Sequence, residues 1–172
     1  MAIFISGEQA PGDGSDLARP FPVRRATVAD VDEVTRLWAL LQADNAMLEP
    51  RLRITMEAES RFHAYLGEVI ATSRTACFVM DRIDGLCGFI LGQIHERPTL
   101  AVADCGYVTD IYVESQARLR GLGRALYEEF RFWCHAQDVT AIEVQIVRAS
   151  SASQVFWRKM GFSDFLRTLR SD

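Results

Sequence analysis

Apolar residues recur with a helical period in several segments of the chain. After a short strand and turn at residues 23–30, apolar positions lie three and four residues apart to about Gln42, which predicts an amphipathic helix. Residues 43–53 interrupt this period and include Pro50, so we expect a loop there. A second helix is predicted within residues 55–72.

Segments rich in apolar and β-favouring residues occupy much of the remaining chain, and Asp84-Gly85 is a hairpin signal between the first two. The predicted strands cover residues 75–81, 85–94, 106–113, 141–147 and 164–170, and the later helices cover residues 122–133 and 151–162. Hairpins favour antiparallel pairing, whereas the late strand–helix–strand unit favours a parallel pair. We therefore expect an α/β (α+β) fold with a mixed, mostly antiparallel sheet and helices on both faces.

Composition narrows the class of protein. A chain of 172 residues with 49% hydrophobic and 24% charged residues suits one globular domain, which we place at residues 21–172 after a mobile leader at residues 1–20. The net charge of −4 argues against nucleic acid and favours a neutral or cationic substrate. The sequence contains no run of 18 apolar residues, so it predicts no membrane-spanning helix.

The cysteines and histidines carry little sign of chemistry. The four cysteines lie in apolar or strand-like surroundings without a C-x-x-C pair, so we expect reduced, buried thiols and a cytoplasmic protein. The three histidines lack metal-ligand spacing, and no metal is expected.

The stretch "RLRGLGRAL" places two glycines where a helix must begin. A tight turn that needs no ligand is one interpretation. A dinucleotide fingerprint fails, because the third expected glycine is Leu126, and no G-x-x-x-x-G-K is present. A pyrophosphate site is the third interpretation, since glycines admit phosphates close to the N–H groups at a helix start.

Three stretches resemble the GNAT superfamily of acyl-CoA-dependent N-acyltransferases. "DIYVESQARLRGLGRALYEEF" is similar to its central R-x-x-G-x-G/A motif, with Arg118, Gly121 and Gly123 in the matching positions. "VRRATVADVDEV" resembles the family's first strand and helix entry, and "SASQVFWRKMGF" resembles its last coenzyme-contacting helix. The resemblance implies that strand 108–113 splays from "AIEVQIV".

The resemblance also implies a coenzyme A site along this strand and the following turn. Backbone groups of the strand would bond the pantetheine and acyl carbonyl, and N–H groups of the turn would hold the phosphates. Three arginines of the turn are candidates for charge-assisted contacts, with a solvated basic turn as the alternative. The candidate cofactor-binding residues are Ile111, Tyr112, Val113, Arg118, Leu119, Arg120, Gly121, Leu122, Gly123, Arg124, Ala125, Ser150, Ser153 and Trp157.

Acyl transfer to an amine needs a base more than an acid, because an alkylammonium has a pKa near ~10 and a thiolate leaves readily. Many relatives place a glutamate where this chain has Thr109. Asp110 is the nearest carboxylate and our candidate catalytic base, with a structural role as the alternative. Glu143 with a water chain is another candidate base, and Tyr107 is expected to pack or to line the acceptor cleft.

A second departure concerns the leaving group. Trp157 stands where many relatives have a tyrosine near the coenzyme sulfur, and Ser150 replaces a frequent asparagine. An indole N–H donates a hydrogen bond but does not deliver a proton at neutral pH. The usual tyrosine mechanism is therefore in doubt for this chain.

The resemblance predicts an acetyltransferase that moves the acetyl group of acetyl-CoA directly to a primary amine, with the acceptor left open. A non-catalytic acyl-CoA sensor is the alternative from another class, and an O-acyltransferase or a longer acyl donor is a third. No nucleic-acid or membrane partner is expected, and a homodimer is left open.

Overall fold

The computed structural model describes residues 21–101, 104–118 and 120–171. Within these ranges the helices are α1 Val31–Leu48, α2 Ala58–Val69, α3 Leu122–His135 and α4 Ser151–Lys159. The strands are β1 Val23–Arg25, β2 Thr75–Arg82, β3 Gly85–Glu96, β4 Asp104–Val113 and β5 Ile142–Val144. The predicted leader at residues 1–20 and the candidate Leu119 lie outside the described residues.

The described strands form one sheet in the order β1-β2-β3-β4-β5. Neighbouring strands from β1 to β4 are antiparallel, whereas β4 and β5 are parallel. The parallel pair follows from the α3 crossover, because a strand that returns through a helix can run in the same direction as its neighbour. The mixed, mostly antiparallel sheet is confirmed.

Apolar side chains cover both faces of the sheet. One cluster packs α1 and α2 against residues such as Val79, Phe89 and Leu91. The other packs α3 and α4 against residues such as Ile90 and Ile111. Successive residues of a strand point to opposite faces, so the near-continuous apolar runs of β2 and β3 serve both clusters. Helices on both faces are thereby confirmed.

Two predicted elements are wrong. The loop expected at residues 43–53 begins only after Leu48, because α1 continues with Asn45 fully buried and Asp44 paired to Arg118. Tertiary contacts outweigh the polar pattern there, and Pro50 comes just after the helix end.

The second error is the strand expected at residues 164–170, which form neither helix nor strand. Phe165, Leu166 and Leu169 are exposed, so these apolar side chains do not pack against the described part of the chain as those of a sheet strand would. All four cysteines are free and buried, as predicted. No helix in the described ranges is long and apolar enough to cross a bilayer.

Candidate functional site

The parallel pair at the centre of the site separates after three residues. Gly106, Tyr107 and Val108 pair with Ile142–Val144, and the described pairing stops there although β4 continues to Val113. The second half of β4 therefore has a neighbour on the β3 side only. The separation that the sequence predicts for strand 108–113 lies at this point.

The register with β3 fixes which backbone groups face the gap between β4 and β5. The Glu114 N–H donates to the Cys87 carbonyl at 2.9 Å, while Val113 lies opposite Gly88 and Tyr112 opposite Phe89. In an antiparallel ladder, the backbone N–H and C=O groups of Tyr112 therefore bond to β3, whereas those of the residues before and after it point away from β3. The N–H and C=O groups of Ile111 and Val113 therefore face the gap, as expected for a pantetheine site.

A β-bulge at Thr109 sets the side-chain directions around the gap. Leu91 pairs with Asp110 and Gly92 with Val108, so Thr109 is the extra residue, and its hydroxyl donates to the Leu91 carbonyl at 3.0 Å. A bulge shifts the alternation by one residue. As a result, the Asp110 side chain faces α1.

The N-terminus of α3 lies directly after this strand and has the properties of an anion site. Gly121 is its N-cap with φ of 73°, a left-handed conformation that side chains disfavour. Within the described residues no side chain caps the helix, its first turn carries no acidic residue, and its first internal bond joins the Ala125 N–H to the Gly121 carbonyl at 3.0 Å. The N–H groups of Leu122, Gly123 and Arg124 precede that bond and point out of the helix start.

The space above this helix start is open. No described heavy atom lies within 4 Å of the position that a Cβ on Gly121 would take. The conformation and not packing therefore demands glycine here. The opening leaves room for a phosphate against the helix N-terminus.

The arginines of the turn have different surroundings. Arg120 and Arg124 are exposed, and the Nε of Arg124 lies 3.7 Å from Glu128. Arg118 is instead largely buried: its Nε donates to the Val113 carbonyl at 2.8 Å and its Nη2 to Asp44 at 3.2 Å. The first two can turn towards a phosphate in solvent, whereas the Arg118 guanidinium is engaged within the fold.

Asp110, the candidate base, is 6% exposed beneath α1. Burial raises the pKa of its carboxyl group, and hydrogen bonds from Thr109, Trp38 and Gln42 oppose that rise. The Gln42 Nε2 lies 3.4 Å from its Oδ1. The raised pKa makes this carboxylate a stronger base than an exposed aspartate, and its role as a proton acceptor stays a prediction.

A half-buried polar cluster lies further along the sheet, beyond the bulge. The Nε2 atoms of Gln93 and His95 are 2.7 Å apart, and the His95 ring stacks on Tyr107 with 4.6 Å between the centroids. Glu143 lies opposite Tyr107 in the ladder and pairs with Arg97 at 2.6 Å. Tyr107 is predicted to pack or to line the acceptor cleft, Glu143 is a candidate base, and His95 is not expected to bind a metal. Gln93 is not predicted, although its i, i+2 spacing from His95 assigns both to one face of β3.

The predicted residues of the last helix are deeply buried. Ser150 caps α4, its Oγ lying 3.3 Å from the Ser153 N–H and 2.6 Å from the Ser153 Oγ. Trp157 is 2% exposed and packs edge-to-face on Tyr127 at 5.4 Å and Phe162 at 4.7 Å. The structure gives the serines a capping role, and their contact with a coenzyme stays a prediction.

The Trp157 indole has one unusual property. Its Nε1 is buried and has no hydrogen-bond partner among the described residues. A buried indole N–H normally finds an acceptor, because leaving it without one costs about 1–3 kcal/mol. The described residues therefore leave this indole N–H without an acceptor, and its contact with a coenzyme stays a prediction.

Comparison with known families identifies the family of most of the chain. A family model described as "Acetyltransferase (GNAT) family" matches residues 36–162, well over half of the chain. Among curated proteins, none matches the sequence.

Solved structures share the fold at low sequence identity. A predicted acetyltransferase from Clostridium acetobutylicum, determined with acetyl-CoA, is 13% identical with a TM-score of 0.75, covering 88% of this chain and 96% of its own. A tetramutant of the BH1408 protein of Bacillus halodurans is 22% identical with a TM-score of 0.74, covering 88% and 99%. Glucosamine-6-phosphate N-acetyltransferase from Arabidopsis thaliana is 15% identical with a TM-score of 0.67, covering 88% and 97%.

Proposed function

The chain belongs to the GNAT acetyltransferase family, and we propose that it transfers an acetyl group from acetyl-CoA directly to a primary amine of a small molecule or peptide. One observation carries the proposal: the backbone groups of Ile111 and Val113 face the gap in the sheet, and the uncapped α3 N-terminus lies just beyond them along the chain. An extended acyl-pantetheine arm ending in phosphates matches this order of donors.

The chain's own groups suit each part of such a substrate. The N–H groups of Leu122, Gly123 and Arg124 would hold the pyrophosphate, with the exposed side chains of Arg120 and Arg124 beside it. The backbone of β4 would bond the pantetheine amides and polarise the acyl carbonyl.

Asp110 would handle the proton of the acceptor. The ammonium group gives its proton to this carboxylate, directly or through water, and the free amine attacks the thioester carbon. The carbon–sulfur bond then breaks and the sulfur leaves as a thiolate, while the nitrogen loses its second proton to that thiolate or to solvent, which gives the neutral amide and coenzyme A. Because a thiol has a pKa near ~8–9, this step does not demand an acid, and the Trp157 N–H would at most donate a hydrogen bond.

An acceptor screen tests the proposal. Release of free thiol from acetyl-CoA is followed with polyamines, amino acids, aminoglycosides and peptides, and Asp110→Asn is the matched control. We expect amine-dependent release by the wild type and a loss of ~10²-fold or more in the variant. Hydroxyl acceptors and longer acyl-CoAs in the same screen test the alternative chemistries.

A non-catalytic acyl-CoA sensor is the second candidate function. The buried position of Asp110 and the presence of Thr109 and Trp157 favour it, since none of these offers an exposed acid or base. Calorimetry that shows acetyl-CoA binding, together with no turnover for any acceptor in the screen, would support the sensor over the enzyme.

A further inference from the structure

We propose that Arg118 is a positioning residue that ties the phosphate-binding turn to α1, and that it is not a phosphate ligand. The inference rests on the proposed function, because it concerns how the turn before α3 is held for a coenzyme. It assigns a partner role to Asp44, a residue of α1 that lies outside the glycine motif.

The contacts of Arg118 anchor it on three sides. Its Nε donates to the Val113 carbonyl at 2.8 Å, and its Nη2 donates to Asp44 Oδ2 at 3.2 Å. Its guanidinium carbon lies 5.4 Å from the centroid of the Tyr112 ring. The side chain is 10% exposed, so the planar guanidinium is held by these protein groups and not by solvent.

Moving this guanidinium to a phosphate would break the arrangement. The Asp44 carboxylate, 30% exposed, would lose its cation, and the Val113 carbonyl would lose a charged donor. Removing one partner of a largely buried pair is more unfavourable than the pair is favourable. Arg120 and Arg124 are exposed and have weaker contacts to give up, a Phe21 ring centroid at 6.0 Å and Glu128 at 3.7 Å respectively.

The contact between Arg118 and Asp44, which we call the brace, also connects the two parts of the proposed chemistry. Helix α1 contacts Asp110 through Gln42 and the start of the turn through Asp44. A fixed distance between α1 and the turn therefore sets where a bound thioester lies relative to the base. Loosening the brace lowers the fraction of molecules with a binding-competent turn, and the apparent Kd rises because it equals the intrinsic Kd divided by that fraction.

Asp44→Asn gives a test whose sign separates the two roles. If Arg118 is a brace, the variant binds coenzyme A about five- to tenfold more weakly, within the usual range of coupling between sites. If Arg118 is a phosphate ligand, removing a nearby negative charge tightens binding or leaves it unchanged. Asp32→Asn is the matched control, because it makes the same charge change on α1 about 18 Å from Asp44 along the helix.

A double-mutant cycle with Arg118→Lys completes the experiment. Lysine keeps the charge but cannot reproduce the fork, so we expect the same five- to tenfold loss, and little further loss in the double variant. Full affinity in Arg118→Lys, or additive losses in the double variant, would overturn the brace. Calorimetry is done on variants whose melting shows that they are folded, since a role in stability alone would shift Tm without changing Kd.

The failure of the brace and the failure of the proposed function give different results. Wild-type protein that binds no coenzyme A would overturn the proposed function and, with it, this assignment. Wild-type binding that Asp44→Asn tightens or leaves unchanged would overturn the brace alone.

Discussion

Gly121 offers the sharpest test of the coenzyme site, because conformation and charge can be varied separately there. Gly121→Gln and Gly121→Glu place side chains of nearly the same size in the open space above the α3 N-terminus. Both variants force a side chain into a φ of 73°, which costs about 1–2 kcal/mol. For a domain of this size both should lower Tm by about 2–8 °C.

Only the glutamate adds a charge. A carboxylate ~5 Å from a phosphate oxygen is repelled by about 0.8 kcal/mol with the dielectric constant of water, and by about 3 kcal/mol with the value that suits a protein surface. The glutamate variant should therefore bind coenzyme A about 4- to 150-fold more weakly than the glutamine variant. The difference should shrink at high salt, because these charges are partly screened.

The assay is calorimetry with coenzyme A on both folded variants and on the wild type, at low and high salt. Equal affinity of the two variants, within about twofold, would refute the placement of phosphates at this helix start. A difference in Tm between the variants that matches the difference in affinity would point instead to an effect on folding.

Three further substitutions test other parts of the structure. Asp110→Asn should lower kcat ~10²-fold or more with little change in coenzyme affinity. Because burial raises the pKa of this acid, the wild type should lose stability as pH rises through that pKa. The Tm of the variant relative to that of the wild type should therefore be higher at pH 8 than at pH 3. A parallel loss of stability and coenzyme binding would indicate a structural carboxylate. Trp157→Phe should keep most of the turnover, whereas Trp157→Ala should weaken coenzyme binding and cost about 3–5 kcal/mol of stability. A ~10³-fold fall in kcat for Trp157→Phe at unchanged coenzyme affinity would show that the indole acts in the chemistry. Gly92→Ala should lower stability by about 1–3 kcal/mol in urea unfolding, because its Cβ would collide with the buried Phe130 ring. Gly67→Ala should be neutral or stabilising, because its Cβ would meet no described atom within 4 Å beyond its chain neighbours and its own helix backbone.

Most of the secondary structure could be predicted from the sequence because it depends on local periodicity. The apolar spacing of residues 122–133 predicts α3, and Asp84-Gly85 predicts the β2–β3 hairpin; both are confirmed. The glycines at 121 and 123 likewise predict the turn at the helix start, since the left-handed φ of Gly121 is a local requirement.

The directions of the functional side chains depend on contacts between distant parts of the chain. The glycine motif predicts that Arg118 contacts a phosphate, yet its guanidinium donates a hydrogen bond to Asp44, 74 positions earlier in the chain. Burial raises the pKa of Asp110, and that burial arises only when the strand and the helices that cover it come together.

The dependence on distant contacts also explains the wrong prediction for residues 164–170. Residues 164–170 include the apolar Phe165, Leu166 and Leu169 and are predicted as a strand, but a strand needs a neighbour to pair with and a face to pack on. The sequence shows the pattern without showing whether that neighbour exists, and here the segment forms neither helix nor strand. Local sequence thus determines where helices and turns begin, whereas burial, ion pairing and strand pairing are decided by residues far apart in the chain, because those free energies arise only when the elements meet.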